Sequence, residues 1–271
     1  MWLDRSFGRG SYGWIRPWLA PYHEYTHFAY AALVSRLAKP GTRWLDAGCG
    51  HQILESRLEN EEKELVSRVR LAVGCDAFTD SLRQHRTLEK LVSCNVDSLP
   101  FRDGTFDLVT LNMVAEHLLN PEQTFSEVAR VLDTDGVLLI HTPNAKSYEV
   151  KLIRLAWSVV PRSVGLKTIR FLEHREPEDV FPTFYRANTR SRLTQLIPEA
   201  GLVEVDFQLI EHRPLFYFFA PLCILQILVA RLLRTMGKQE ICSGSFLGVY
   251  RRAQSGVRLR EGSLIQSSVS H

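Results

Sequence analysis

The sequence predicts an α/β fold built on a doubly wound, mostly parallel sheet. Three observations carry this. Between residues 43 and 142, short apolar runs alternate with helical patterns. The runs are apolar at consecutive positions, as strands covered on both faces are. Glycine, acidic and amide residues fall at the carboxyl ends of these runs, where doubly wound sheets bind ligands.

The elements follow in order. A helical stretch, "YHEYTHFAYAALVSRLAK", precedes the first strand "RWLDA" (43–47). Further strands are "VRLAVGCD" (69–76), "LVSCN" (91–95), "FDLVTLN" (106–112) and "GVLLIHT" (136–142). The helix before the last of these has Asn120 as N-cap, Pro121 at its first position and Gln123 at capping-box spacing. Phe125, Val128, Ala129 and Leu132 then share one face, and "DTDG" turns the chain through Gly136. "FPTFYRANTRSRLTQLIPEAG" reads as a loop and a helix closed by Gly201, and "LVEVDFQLIEH" (202–212) and "SFLGVYRR" (245–252) read as two more strands. The expected organisation is a helical cap over 1–41, an α/β domain over 42–252 with inserts at 145–187 and 213–243, and a polar, disordered tail over 253–271.

Composition sets bounds on function. A net charge of +3 is too mild to imply a nucleic-acid partner, and none is expected. Five scattered cysteines with no C-x-x-C pair suggest buried thiols in a reducing, cytoplasmic compartment. The start, "MWLDRSFGRGSYGW", lacks the long apolar segment of a cleavable secretory signal.

The candidate site begins at Asp46-Ala47-Gly48-Cys49-Gly50. Gln52 and Ile53 stand where a phosphate-binding turn places its third glycine, so the turn suits a nucleoside without a pyrophosphate better than a dinucleotide. Asp76 closes the second strand, twenty-six residues after Gly50, where its carboxylate can accept from both hydroxyls of a ribose. Asn95 and the backbone of Val96, in "CNVDSLPF", are placed to read an adenine edge. Taken singly, each has a plainer reading: Asp76 as a helix N-cap and Asn95 as a turn residue.

Four segments, "LDAGCG", "VGCDAF", "NVDSLPFRDGTFDLVTLNMVAEHLLNPEQTFSEVARVLDTDGVLLIHTPN" and, more loosely, "LTQLIPEAGLVEVDF", resemble the class I S-adenosylmethionine-dependent methyltransferases, in particular their small-molecule and quinone-type members. The resemblance covers roughly residues 42–210 and is most specific from Leu99 to Gly136. It implies a Rossmann-like, seven-stranded sheet with a reversed last strand, and S-adenosyl-L-methionine as cofactor. It further implies Asp46, Gly48 and Gly50 at the methionine end, Asp76 at the ribose, Asn95 and Val96 at adenine, and Asn112 beside the methionine moiety. Gln52 replaces the family's usual glycine, and Asn95 stands where an aspartate is common. The reaction implied is in-line methyl transfer, catalysed by alignment and exclusion of water. His117 and His141 are then the candidate general bases, with helix capping and core packing as their plainer readings.

Other signals compete. "HEYTH" (23–27) matches the H-E-x-x-H spacing of a zinc hydrolase, but Tyr30 occupies a position that the extended motif gives to glycine, and no metal is expected. The stretch instead suggests a helix that closes over the cofactor and offers His23, Tyr25 or His27 to the acceptor. A binding-only regulator is the second alternative, motivated by Gln52. The run Pro214–Ala230 would span about 25 Å as one helix, short of a hydrocarbon core of about 30 Å. Residues 145–175 interleave seven lysines and arginines, against two acids, with apolar side chains. Together these inserts suggest peripheral contact with anionic lipid, or a lid over the pocket. The expected acceptor is small and lipid-like, with Tyr22, Tyr25, Trp157, Phe184 and Tyr185 as pocket candidates; a second copy of the chain is a further candidate partner.

Overall fold

The computed structural model describes residues 11–20, 25–159, 182–211, 214–217 and 219–253. Among them, seven strands form one sheet: β1 (Arg43–Ala47), β2 (Leu71–Asp76), β3 (Leu91–Ser93), β4 (Phe106–Asn112), β5 (Leu132–Pro143), β6 (Leu202–Ile210) and β7 (Ser245–Arg252). Their order is β3-β2-β1-β4-β5-β7-β6. The pairings from β3 to β5 are parallel, and β7 runs antiparallel to both β5 and β6. This is the doubly wound sheet with a reversed last strand that the apolar runs and the resemblance lead one to expect.

Both faces of the sheet are covered, which is why its strands are apolar at consecutive positions. On one face Leu45, Val109 and Ile140 pack with Phe125 and Val128 of α5 (Pro121–Val131) and with Leu193 of α7 (Arg190–Glu199). On the other, Trp44, Leu108 and Leu139 pack with Tyr30 and Val34 of α2 (Thr26–Leu37) and Leu65 of α3 (Glu59–Arg68). The remaining helices are α1 (Ser11–Leu19), α4 (Thr79–Arg83), α6 (Tyr148–Val159) and α8 (Ala220–Thr235).

Three local expectations are corrected. First, "DTDG" is a bulge inside β5, with Asp135 rather than Gly136 in the left-handed region (φ 63°). Phe106 pairs with Leu132 and Leu108 with Val137, so the four residues 133–136 lie opposite the one residue Asp107. Arg43 holds that bulge from afar, its Nη2 donating to Asp133 Oδ2 at 2.6 Å, a bond no local pattern announces. Second, the capping box does not form: the Asn120 side chain makes no cap bond, Gln123 Nε2 donates to Asp97 O at 3.4 Å, and Thr124 Oγ1 bonds Asp97 Oδ1. Third, the apolar run from Pro214 is not one helix. Pro221 fits a first turn, so α8 starts at Ala220 and continues to Thr235. Residues 1–10, 160–181 and 254–271 lie outside the described residues, and with them the expected polar tail and much of the first insert.

Candidate functional site

The sheet order reverses between β1 and β4, which opens a crevice at their carboxyl ends. The glycine turn sits there. Gly48 and Gly50 both have positive φ, 74° and 54°, which is why these positions take glycine. The Gly48 and Cys49 N–H groups donate to Cys75 O at 2.7 and 3.0 Å, which folds the turn onto the end of β2. A Cβ on Gly48 would lie 2.5 Å from Val114 Cγ2, whereas one on Gly50 would meet no atom within 4 Å. The turn is therefore packed beneath Gly48 and open above Gly50.

Asp76 joins it directly. Its Oδ2 accepts from Gly50 N–H and its Oδ1 from Phe78 N–H, both at 2.9 Å. A carboxylate with two such bonds keeps two lone-pair positions for hydroxyl donors. Phe78, 51% exposed, stands beside it as an aromatic surface that motif reading passed over; an apolar residue two positions beyond the strand-end acid was the available signal.

Asp46 lies below the turn, 3% exposed, and accepts from the Thr110 hydroxyl, which itself accepts from Trp44 Nε1 at 2.9 Å. Burial pushes its carboxyl up to about 7, with the Glu62 and Asp76 charges adding to the rise and the Thr110 bond offsetting part of it. A raised folded-state pKa stabilises the protein fully below the unfolded value and is lost as pH rises through the folded one. We expect stability to fall between pH 5.5 and 8 by about 2 kcal/mol more in wild type than in Asp46→Asn, by denaturant unfolding at both pH values. Glu149, also pushed up to about 7 by burial, contributes to both proteins and cancels in the difference. Equal pH slopes would show that Asp46 is ionised throughout.

Gln52, the departure from the glycine pattern, is held by Arg86 and Ser56. Its Oε1 accepts from Arg86 Nη1 at 3.0 Å and from Ser56 Oγ at 3.1 Å. Arg86 pairs with the fully buried Glu62, donates to Leu54 O at 2.7 Å, and gives its own N–H to His51 O at 3.1 Å. Glu62 also accepts Leu54 N–H at 2.7 Å. Burial opposes ionisation of Glu62, but the bonds from Arg86, Thr87 and Leu54 outweigh it and hold the carboxyl below its ordinary value. This clamp shapes residues 51–54 where the pattern would otherwise use glycine. It escaped the sequence reading because Arg86 lies thirty-two residues beyond Leu54.

Asn112, at the end of β4, ties the end of β5 to the loop that follows β1. Its Nδ2 donates to Ile53 O at 3.0 Å and its Oδ1 faces His141 Nδ1 at 2.8 Å. Because the amide nitrogen is committed to Ile53, the proton of this second bond belongs to His141 Nδ1. His141 is 1% exposed, stacked on Tyr30 (5.4 Å between centroids) and edge-on to His27 (5.6 Å). Met113, next in the chain, has φ 58°, an uncommon strand-end conformation held by its N–H to His141 O at 2.8 Å. His117 is more open, with 30% of its side chain exposed. Its Nδ1 donates to Pro182 O at 2.9 Å, and its Nε2 lies 4.0 Å from Glu116 Oε1.

Asn95 is exposed and acts in a turn: its Oδ1 accepts Asp97 N–H at 3.2 Å and its backbone carbonyl accepts Ser98 N–H at 3.0 Å. Val96 is half-buried against the main core. Among the aromatic candidates, Phe184 and Tyr185 both give their N–H to Glu116 O, at 2.7 and 3.1 Å, which sets them beside His117. Tyr25 sits 5.1 Å from the His27 ring. Tyr22, His23 and Glu24 lie outside the described residues, as does the Trp157 side chain. Among the described residues no group of three or more His, Cys, Asp or Glu side chains is arranged to hold a metal ion.

A family model described as a methyltransferase domain matches residues 22–181. The chain belongs to that family, the class I S-adenosylmethionine-dependent methyltransferases. Malonyl-[acyl-carrier protein] O-methyltransferase of Geobacter sulfurreducens is 33% identical over 154 residues, 55% of this chain and 56% of that protein. Ubiquinone/menaquinone biosynthesis C-methyltransferase of Xanthomonas oryzae pv. oryzae is 32% identical over 105 residues, 36% of this chain and 41% of that protein. The chain thus matches about half the length or less of these curated relatives. Among solved structures, an S-adenosylmethionine-dependent methyltransferase from Mesorhizobium loti superposes with TM-score 0.52 at 14% identity, over 84% of this chain and 98% of that one. Another, from Methanosarcina mazei, gives 0.51 at 17%, over 82% and 97%. These two likenesses are of fold.

Proposed function

We propose that this methyltransferase-family domain transfers a methyl group from S-adenosyl-L-methionine to a small, lipophilic acceptor. The observation that carries the reading is the union of Asp76 with the Gly50 N–H at the switch point of the sheet, beside the exposed Phe78 ring. The residues present fit the cofactor: the space over Gly50 is open, Asp76 retains acceptor capacity for a ribose, and Phe78 offers a face to adenine. Gly48 and Gly50 would hold the amino-acid end with Asn112 beside it, and Val96 would border the base. Asp46, enclosed beneath the turn, would act by supporting it. Asn95 shapes the neighbouring loop while keeping an amide edge outward. When bound, S-adenosylmethionine supplies an activated methyl on a sulfonium.

The chain's own residues then position and exclude. His141 orients Asn112 through its Nδ1 proton, and Asn112 in turn pins the Ile53 carbonyl and with it the glycine loop. His117, more open and flanked by Phe184 and Tyr185, is the better-placed proton acceptor for a hydroxyl substrate. The relatives' names, an acyl-carrier O-methyltransferase and a quinone C-methyltransferase, support acceptors with long apolar parts. A cytoplasmic protein that touches the membrane from its surface suits such acceptors. We divide the chain accordingly into a cap over 1–41, the methyltransferase domain over 42–252 and a tail beyond it. The binding-only alternative loses its motive, since Gln52 serves the Arg86 clamp.

The test is incubation with labelled cofactor and a lipid extract, followed by mass spectrometry, with calorimetry on the same preparations. Asp76→Ala is expected to weaken cofactor binding by about 1–3 kcal/mol through lost charge-assisted bonds. His117→Gln is expected to keep that affinity while turnover falls roughly tenfold or more. Cofactor bound with micromolar affinity but no methylated product would leave a regulator; unchanged affinity in Asp76→Ala would remove Asp76 from the site.

A further inference from the structure

Exposed large apolar side chains concentrate on three helices at one end of the fold. On α1, Trp14 and Trp18 are 85% and 83% exposed, one turn apart on one face, while Tyr12 is buried against Cys223 and Ile227 of α8. The Tyr12 N–H donates to Tyr217 O at 3.1 Å, fastening α1 to the segment that leads into α8. On α8, Leu222, Leu225, Val229 and Leu232 form a solvent-facing stripe at alternating spacings of three and four, with Leu228 alongside. On α6, Leu152 and Leu155 are likewise exposed. Gln226 Nε2 joins α8 to α6 by bonding Glu149 Oε1 at 3.3 Å and the Tyr148 hydroxyl.

Charge says what this face meets. The three helices carry five cations, Arg16, Lys151, Arg154, Arg231 and Arg234, and one acid, Glu149, which is buried. Arg234 pairs with Glu211, and the Arg154 guanidinium lies 4.8 Å from the centre of the Tyr185 ring. In a two-fold contact between copies, a stripe of this kind would bring like charges together across the seam without acidic partners. Against an anionic bilayer the same cations are attracted, and two adjacent exposed tryptophans are interfacial anchors. No helix of the described residues is long and apolar enough to cross a membrane; α8, with sixteen residues, reaches about 24 Å. It can lie in the interface.

We propose that α1 and α8, with the exposed leucines of α6, form one docking face for an anionic lipid bilayer, and that the methyl acceptor reaches the site from that bilayer. The second half rests on the proposed methyl transfer to a lipophile; the first does not. A path joins the two. Tyr25 packs against the α1–α8 cluster, its ring lies 5.1 Å from that of His27, and His27 touches His141, the residue that orients Asn112. The docking face therefore adjoins the acceptor side of the crevice.

The experiment is sedimentation of the full chain with vesicles of phosphatidylcholine, with and without phosphatidylglycerol, alongside calorimetry with S-adenosylmethionine. Wild type is expected to sediment with the phosphatidylglycerol vesicles, less so at high salt. Trp14→Ser/Trp18→Ser and, separately, Leu225→Asp/Leu228→Asp should each lower the bound fraction about tenfold while keeping wild-type cofactor affinity, which also reports that they fold. Wild type remaining in the supernatant, or both variants binding as wild type does, would overturn the proposal. So would a dimer in the absence of lipid that Leu225→Asp/Leu228→Asp dissociates without changing vesicle binding. Vesicle binding by a protein that ignores the cofactor would sink the proposed methyl transfer and leave the docking face standing; the reverse would sink the docking face alone.

Discussion

Replacing Arg86 by alanine is expected to destabilise the protein by about 3–5 kcal/mol, because it leaves the Glu62 carboxylate buried without its counter-ion. Glu62 has no exposed surface, and its remaining partners, Leu54 N–H and the Thr87 hydroxyl, are neutral donors. Deprived of the guanidinium, Glu62 must take up a proton or draw water inward, and the loop from His51 to Leu54 loses the side-chain ties to Gln52 Oε1 and Leu54 O. Urea unfolding measures the loss. Arg86→Ala/Glu62→Gln should recover part of it, since the unpaired charge rather than the absent pair is the main cost. A loss below about 1 kcal/mol for Arg86→Ala would mean that Glu62 is hydrated in solution. Arg86→Lys should fall between, as an ammonium cannot reach Glu62, Gln52 and the Leu54 carbonyl together in one plane.

Gly48→Ala should cost about 2–4 kcal/mol, the sum of a left-handed backbone forced on an L-residue and overpacking against Val114. The added methyl would stand 2.5 Å from Val114 Cγ2, so either the strand end or the β4 loop must move. Gly50→Ala is the control: its φ is also positive, but its Cβ would enter open space, and the cost should stay near 1 kcal/mol. Thermal unfolding of the two variants separates them. Equal losses would show that the Val114 contact relaxes without strain. If the open space above Gly50 is where the cofactor lies, Gly50→Ala should nevertheless weaken cofactor binding more than its small effect on stability suggests.

Much of the fold was legible because its signals are local. "RWLDA", "FDLVTLN" and "SFLGVYRR" became β1, β4 and β7 at the residues read from the sequence, since a strand covered on both faces announces itself by consecutive apolar residues. The glycine pair and Asp76 were legible for a related reason: a positive φ and a strand-end carboxylate are requirements of single positions. The "DTDG" segment misled because a turn and a bulge share the same residues, and Arg43, ninety residues away, selects the bulge. Asn120 and Gln123 misled because a capping box is one of several uses for those side chains, and Asp97 drew both Thr124 and Gln123 instead.

By itself the sequence determined the order of the strands along the chain, the ends of β1, β4 and β7, and the positions of the glycine pair and the acid that close β1 and β2. Tertiary structure alone decided that Gln52 serves Arg86, that Tyr30 and Asn112 enclose His141, and that Tyr12 of α1 packs on Cys223 and Ile227 of α8. The division has one physical cause. Backbone preference and apolar periodicity act over a few neighbours, whereas a buried ion pair, a stacked ring or a shared surface depends on which distant segments the closed sheet brings within a few ångströms of each other.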